Sequence, residues 1–241
     1  MIQPIPAIDL LDGRCVRLMQ GRYDQVTVYG EDTVRLAQHW EKLGAKWLHV
    51  VDLDAARTAG KRNNSALIAR MCRTVDIPVQ IGGGLRTIGD IERVLDHDAC
   101  RAILGTAAVR NPELIDKAVT AFGADRVAVG IDAVDQEVRV EGWTQGSALS
   151  AVDLALNMES RGVRRIIYTD IGRDGTMKGP NVSAYRGLGK ALTDCRITAS
   201  GGVASLADVT VLGRLTNLGI DSVVVGRALY EHAIDPKDLW P

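Results

Sequence analysis

Short apolar runs alternate along the chain with segments in which apolar residues recur at helical spacing. Eight of these runs are rich in β-branched residues, and most end in Asp or Gly. They predict strands at residues 2–9, 47–52, 79–82, 102–105, 127–132, 165–170, 197–200 and 222–226. Segments between them, such as 33–43 and 88–95, predict helices. This alternation is typical of βα units, whose strands pair in parallel.

Two α/β architectures fit such an alternation: a closed barrel and an open doubly wound sheet. The open sheet carries a GxGxxG fingerprint after its first strand, but this chain has Asp9-Leu-Leu-Asp-Gly13 there. Eight parallel strands close into a barrel of about 250 residues, and the chain has 241. We therefore expect one α/β domain over residues 1–241, a (β/α)8 or TIM barrel.

The two halves of the chain carry the same motifs in the same order, separated by about 120 residues. Ala7-Ile-Asp9 matches Gly130-Ile-Asp132, Val51-Asp-Leu53 matches Thr169-Asp-Ile171, Gly82-Gly-Gly84 matches Ser200-Gly-Gly202, and Leu104-Gly-Thr-Ala107 matches Val225-Gly-Arg-Ala228. Glycines and aspartates recur by chance at strand ends, but four ordered pairs at one offset favour a true repeat. The repeat predicts two half-barrels, roughly residues 1–120 and 121–241, related by a two-fold axis.

Composition excludes several kinds of partner. Lys and Arg number 29 against 30 Asp and Glu, so no field of one sign favours nucleic acid or an acidic membrane. The four cysteines and four histidines lack the spacing of a zinc site or a disulfide framework. No apolar stretch has the length of a membrane span, and the N-terminus does not resemble a signal peptide. We expect a cytoplasmic protein with no metal, cofactor or obligate protein partner.

The repeated glycine motifs fall where predicted strands end, which is the face of a barrel that binds substrate. Backbone N–H groups at such glycines and at the start of the next helix favour an anion. The candidates are Gly82, Gly84, Gly105 and Thr106 in the first half, and Gly201, Gly202, Gly226 and Arg227 in the second. Each motif alone is equally consistent with a tight turn. Together they predict two phosphate sites on opposite sides of the barrel mouth.

Two carboxylates end strands that lie opposite each other in a ring of eight. Asp9 ends the first predicted strand and Asp132 ends the fifth. A carboxylate on each side of a sugar suits aldose–ketose isomerisation, in which an acid opens the ring and a base removes the neighbouring proton. The acid then needs a raised pKa. The alternative is that each Asp caps its loop or pairs with an arginine, such as Arg14 or Arg17.

Three loops are long enough to close over a ligand, at residues 10–32, 134–148 and 172–183. In the fifth βα loop, Trp143 suits stacking on a flat heterocycle, with surface packing as the alternative. In the sixth loop, Asp174 is a third carboxylate that assists proton transfer, holds the ligand, or marks an ordinary turn. We assign no role to His49, which is expected to be a packed or hydrogen-bonded residue.

Six motifs together resemble one known family over essentially the whole chain. They are Pro6-Ala-Ile-Asp9 with Gly13-Arg14 and Val16-Arg17-Leu18, Val51-Asp-Leu-Asp54, Gln80-Ile-Gly-Gly-Gly-Leu-Arg86, Gly130-Ile-Asp132, Asp170-Ile-Gly-Arg-Asp-Gly-Thr176, and Ser200-Gly-Gly202 with Val225-Gly-Arg-Ala228. With them the chain resembles the ProFAR isomerase (HisA) family of histidine biosynthesis. The same motifs and loops make Arg17, Gly21, Arg86, Thr169 and Gly175 further candidates for binding substrate.

The resemblance implies an Amadori rearrangement without a cofactor. It turns the N-linked phosphoribosyl aminoaldose ProFAR into its phosphoribulosyl ketose, PRFAR. The substrate carries two phosphates and an imidazole carboxamide, which agrees with two phosphate sites. The resemblance also implies Asp9 as proton acceptor and Asp132 as proton donor, with Asp174 as a rival donor.

Relatives with the same half-barrel plan leave alternatives. Phosphoribosylanthranilate isomerase and the cyclase that follows this step carry a Cys in strand one near the catalytic Asp. This chain has Pro6-Ala-Ile-Asp9 there, which disfavours both. A dual-substrate isomerase of histidine and tryptophan synthesis shares Lys178-Gly-Pro-Asn181, but it tends to have Ser-Gly-Gly at residues 82–84. It is the second hypothesis. A non-catalytic phosphosugar-binding barrel is the third.

Overall fold

Eight parallel strands close into a barrel in the computed structural model, which describes residues 2–240. The twelve strands of the described residues are β1 (Gln3–Leu11), β2 (Arg14–Met19), β3 (Arg22–Gly30), β4 (Leu48–Asp52), β5 (Val79–Gly82), β6 (Arg101–Leu104), β7 (Val127–Val134), β8 (Glu137–Val140), β9 (Gln145–Ser150), β10 (Arg165–Asp170), β11 (Arg196–Ser200) and β12 (Ile220–Val225). The barrel runs β1-β4-β5-β6-β7-β10-β11-β12, and β12 pairs with β1 to close it. The predicted barrel is confirmed, and its strand ends differ from the predicted ones by at most two residues.

Helices cover the outside of the barrel. They are α1 (Thr33–Lys42), α2 (Leu53–Thr58), α3 (Ser65–Thr74), α4 (Ile88–Asp96), α5 (Thr106–Arg110), α6 (Pro112–Phe122), α7 (Ala151–Ser160), α8 (Val182–Ala191), α9 (Leu206–Gly213), α10 (Arg227–Tyr230) and α11 (Pro236–Leu239), with 3-10 turns at Ala124–Arg126 and Thr216–Leu218. Among the described residues, no helix has both the length and the apolar character that a membrane crossing requires.

Matching helices of the two halves begin in the same way. Thr87 and Asp90 form a reciprocal capping box at the start of α4, and Ser205 and Asp208 form one at the start of α9. Each box satisfies N–H groups that have no partner inside the helix. The equivalence extends the predicted repeat from motifs to local structure.

The core lies between the barrel wall and the helices. The strand β7 shows why, because Val127, Val129 and Ile131 are fully buried against the surrounding helices, as expected of a strand covered on both faces. A separate small cluster of Ile103, Ala128 and Ile167 lies inside the barrel. Ile103 and Ile167 form an apolar floor beneath the open end.

Two of the predicted loops are largely β-hairpins. The segment 10–32 holds the antiparallel strands β2 and β3, with β2 pairing back onto β1. Its first turn, Asp12-Gly13, has φ values of 50° and 75°, and its second, Gln20-Gly21, has 50° and 71°. Two successive positive φ values are the mark of the tight turn that matches strand twist, and Asp-Gly is one of its usual sequences. The segment 134–148 likewise contains β8 and the start of β9.

Candidate active site

A cavity of about 270 Å³ opens at the carboxyl ends of the barrel strands. Every residue predicted for the site lines it. These are Asp9, Arg17, Gly21, Gly82, Gly84, Arg86, Gly105, Thr106, Asp132, Trp143, Thr169, Asp174, Gly175, Gly201, Gly202, Gly226 and Arg227. The strands β1 and β7, which carry Asp9 and Asp132, have three barrel strands between them on each side. The two carboxylates therefore stand on opposite walls.

The glycine motifs form tight turns that admit no side chain. A Cβ on Gly83 would lie 2.2 Å from the backbone oxygen of Asp52, and one on Gly201 would lie 2.7 Å from that of Asp170. Both glycines have positive φ, at 104° and 95°. The same turn thus follows β5 in the first half and β11 in the second, and each brings backbone N–H groups to the rim of the cavity.

The first rim of the cavity, formed by the glycine turn after β5 and the start of α5, contacts the fifth βα loop. Thr106, at the start of α5, accepts a hydrogen bond at its Oγ1 from the backbone N–H of Glu141 at 2.9 Å. Nearby in the cavity wall, Arg86 has a buried Nη1 with no hydrogen-bond partner among residues 2–240. A permanently charged donor without a partner beside a glycine turn suits an incoming anion.

The second rim of the cavity, formed by the glycine turn after β11 and the start of α10, contacts the sixth βα loop. The contacts of Arg227 there differ from the expected free donor. Its Nε donates to Glu231 Oε1 at 2.6 Å, and its Nη1 donates to the Gly175 backbone oxygen at 2.7 Å. The guanidinium is therefore engaged by protein groups instead of lying free at the rim. The Arg17 guanidinium packs directly against Gly226, where a Cβ would lie 3.2 Å from it.

Asp9 forms an ion pair at the bottom of the hairpin. Arg17 Nη1 lies 2.5 Å from Asp9 Oδ2, and the same guanidinium donates to the Ala7 backbone oxygen and stacks over the Tyr230 ring. The pairing that was the alternative reading of Asp9 is thus present. Asp9 nevertheless lines the cavity.

Asp132 lies half-buried on the opposite wall under the fifth loop. Trp143 Nε1 donates to Asp132 Oδ2 at 2.8 Å, which fixes the indole beside the carboxylate. Burial raises the pKa of Asp132, while hydrogen bonds from Trp143 and Thr169 oppose the increase. The ring also rests on Gly21, where a Cβ would lie 2.3 Å from it. The first hairpin and the fifth loop thus meet above the cavity.

Asp174 lies in the turn after β10. Its backbone N–H donates to the Asp170 and Ile171 backbone oxygens, which holds the turn at the cavity edge. Burial, followed by the nearby Asp9 carboxylate, raises the pKa of Asp174 to about 7. A carboxyl that is partly protonated at neutral pH can both give and accept a proton. The three carboxyls of the cavity therefore have distinct environments, which is how one site obtains an acid and a base.

His49, which the sequence predicts to be a packed or hydrogen-bonded residue without an assigned role, lies in the cavity wall. The side chain is 8% exposed, lines the cavity, and forms a 3.0 Å hydrogen bond with Gln80. The signal available was its spacing, because His49 and Val51 alternate along β4 as Ala7 and Asp9 do along β1, and all four line the cavity. Among the described residues, no group of three or more His, Cys, Asp and Glu side chains has the arrangement of a metal site.

Comparison with known proteins assigns the chain to a family. The family described as "Histidine biosynthesis protein" matches residues 3–235. The chain belongs to this family. Within the histidine biosynthesis family, similar curated proteins carry the name 1-(5-phosphoribosyl)-5-((5-phosphoribosylamino)methylideneamino)imidazole-4-carboxamide isomerase.

Three of these relatives span nearly all of the chain. The protein of Salinibacter ruber is 56% identical over 236 residues, covering 98% of this chain and 91% of its own. That of Desulforudis audaxviator is 48% identical, covering 95% and 87%, and that of Acetivibrio thermocellus is 47% identical, covering 97% and 96%. The family resemblance drawn from the six motifs is confirmed.

Proposed function

We propose that this member of the histidine biosynthesis family is the aldose–ketose isomerase that turns ProFAR into PRFAR, the reaction for which its relatives are named. One observation carries the proposal at the level of chemistry. Asp9 and Asp132 line opposite walls of one cavity, and repeated glycine turns border the same cavity on both sides. A substrate with a phosphate at each end has its reacting ribose between the carboxyls.

The proposed reaction balances with one acid and one base. The acid protonates the ribose ring oxygen as the bond from that oxygen to C1 breaks, which leaves a C1–nitrogen double bond. Asp9 removes the proton from C2 and the product is an enol amine. The C2 hydroxyl then returns a proton to the acid while C1 takes one from Asp9, so both carboxyls regain their first state.

We assign the base to Asp9 and the acid to Asp132. Arg17 forms an ion pair with the Asp9 carboxylate, whereas burial raises the pKa of Asp132 and favours its protonated form. Asp174, with a pKa of about 7, is the alternative acid. Because Asp174 is on the loop and interacts with the charge of Asp9, we assign it to holding the substrate and modulating the base.

Phosphate binding is assigned to the two rims. Backbone N–H groups at Gly82, Gly84, Gly105 and Thr106, with Arg86, would bind one phosphate. Those at Gly201, Gly202, Gly226 and Arg227 would bind the other. The engaged state of Arg227 makes its backbone N–H the expected contact there.

The decisive test is turnover. Purified protein is incubated with ProFAR and conversion is followed by absorbance. Wild type is expected to convert it, Asp9→Asn and Asp132→Asn to lose about 10²- to 10⁴-fold in kcat with little change in KM, and Asp174→Asn to lose less. A folded wild-type protein without turnover would refute the proposal. A larger loss in Asp174→Asn than in Asp132→Asn would reassign the acid.

Phosphoribosylanthranilate tests the dual-substrate alternative, to which the names of the relatives give no specific support. A single-substrate enzyme leaves it unchanged in the same assay. A binding protein without catalysis predicts that Asp9→Asn retains the biological role, for instance growth of a histidine auxotroph. We also propose a cytoplasmic location, which the four unpaired cysteines of the described chain support.

A further inference from the structure

A row of three polar side chains, the buried His49 and Gln80 and the half-buried Arg101, crosses the inside of the barrel wall below Asp9. His49, Gln80 and Arg101 lie at paired positions of the adjacent strands β4, β5 and β6. Arg101 Nη1 donates to Gln80 Oε1 at 3.0 Å, and Gln80 Nε2 lies 3.0 Å from His49 Nδ1. The isomerisation chemistry given above uses none of them.

The row has only one consistent direction. Arg101 can only donate, so the Gln80 atom facing it must be the carbonyl oxygen. The other end of the same amide is then its NH₂ group, which can only donate to His49. Nδ1 of His49 must accept that bond, and the proton of the neutral imidazole is therefore on Nε2.

Arg101 is itself held in place. Its Nε donates to the Asp125 backbone oxygen at 3.0 Å, and its guanidinium lies 4.6 Å from the centre of the Trp47 ring. These contacts come from the end of the barrel away from the cavity. They fix Arg101, which in turn fixes the orientation of Gln80 and, through it, of His49.

Nε2 of His49 is open to the cavity. It has no hydrogen-bond partner among residues 2–240, and it is not one of the fully enclosed polar atoms without a partner. His49 is paired with Ala7, two residues before Asp9 on the neighbouring strand. Its donor thus lies one layer below the base, under the middle of any ligand that spans both rims.

We infer that His49 is a neutral Nε2–H donor, set in this tautomer by Arg101 through Gln80, that binds a sugar oxygen at the centre of the substrate. The inference rests on the proposed function for the identity of that ligand. A neutral donor suits this place because it can stabilise charge on a sugar oxygen without giving its proton to Asp9. Burial, with the Arg17 charge, lowers the pKa of His49 to about 4 despite the opposing effect of Asp9, in agreement with a neutral ring.

The tautomer is tested without any turnover. Long-range proton–nitrogen NMR spectra of the ligand-free protein, labelled with ¹⁵N at histidine, distinguish protonated from bare ring nitrogens. We expect a protonated Nε2 and a bare Nδ1 at His49 at neutral pH. In Gln80→Glu the carboxylate accepts from both neighbours, so Nδ1 should gain a proton. A protonated Nδ1 in wild type, or a bare Nδ1 in Gln80→Glu, would overturn the inference.

The contact with the ligand is tested by kinetics and by binding of PRFAR. His49→Phe is expected to lower kcat about a hundredfold, as loss of one preorganised donor does, and His49→Gln, which keeps an N–H donor, to recover part of it. The exposed His39→Gln on α1 serves as control. PRFAR should shift the Nε2 signal of His49. Normal kcat in His49→Phe, or an unmoved signal with PRFAR bound, would refute the contact, whereas absence of turnover in wild type would refute the proposed function instead.

Discussion

Trp143 donates its indole N–H to Asp132 at 2.8 Å, and the two residues belong to one strand-and-loop unit of the barrel. The bond favours the ionised carboxylate, whereas burial favours the protonated one. A substrate that displaces the indole from this bond would therefore raise the pKa of Asp132. We therefore expect movement of the fifth loop and the protonation state of Asp132 to be coupled.

This coupling predicts the effect of Trp143→Phe on the pH dependence. The ring is kept and the donor is lost, so the pKa of Asp132 in the free enzyme moves further up. The alkaline limb of kcat/KM, where the acid loses its proton, should shift to higher pH. Trp240→Phe, outside the cavity, should leave the limb in place. An unshifted limb in Trp143→Phe would contradict the coupling.

Gly21 and Gly13 offer a matched pair for testing the lid contact. Their φ values are 71° and 75°, but a methyl on Gly21 meets the Trp143 ring while one on Gly13 meets nothing within 4 Å. Both alanine variants should lose about 1 kcal/mol of stability from backbone strain. Only Gly21→Ala should lose kcat/KM, by about tenfold, because the hairpin no longer fits under Trp143. Equal kinetics in the two variants would show that the contact has no role in turnover.

Asp174 predicts a pH-dependent stability. Its pKa in the folded protein is about 7, above the ordinary value of 3.8, so folding holds a proton that the unfolded chain releases. The free energy of unfolding should therefore fall as pH rises from about 4 to about 7, by up to about 4 kcal/mol from this group. Asp174→Asn removes the group whose ionisation in the folded protein lowers the free energy of unfolding. In urea titrations it should gain stability over wild type at pH 8 more than at pH 4, and exposed Asp96→Asn should not. A gain independent of pH would exclude this origin.

Arg110 predicts an effect from outside the cavity. Its Nη2 donates to Gln145 Oε1 at 2.5 Å and lies 3.2 Å from Glu141 Oε1, so it clasps both ends of the turn that carries Trp143. Glu141 and Trp143 have positive φ, a conformation that needs support. Arg110→Ala should lower kcat/KM about tenfold and expose the turn to protease. Arg93→Ala, which breaks a pair on α4, is the control, and equal behaviour of the two would reject the clasp.

Much of the site was predictable because barrel geometry converts strand ends into neighbours. Asp9 and Asp132 follow from two matching motifs, and the ring of eight strands puts them on opposite walls whatever the side chains between them. The hairpin at Asp12-Gly13 could equally be predicted from the sequence, since Asp-Gly is a turn signal, although the length of the segment favours a long loop. The position of His49 in the cavity wall follows from its alternation with Val51 along β4, but its hydrogen bond to Gln80 depends on the register of β4 against β5.

The sequence by itself determined the barrel, its repeat and the family, because strand period, glycine turns and ordered motifs are local in the chain. Only the tertiary structure decided that the pKa values of Asp132 and Asp174 are raised, since burial of the carboxyl is the main cause in both. It also decided that Arg227 is engaged with Glu231 and Gly175, and that Arg101 and Gln80 orient His49. These contacts join residues far apart in the chain, and such pairings depend on the folded geometry that brings the side chains within reach.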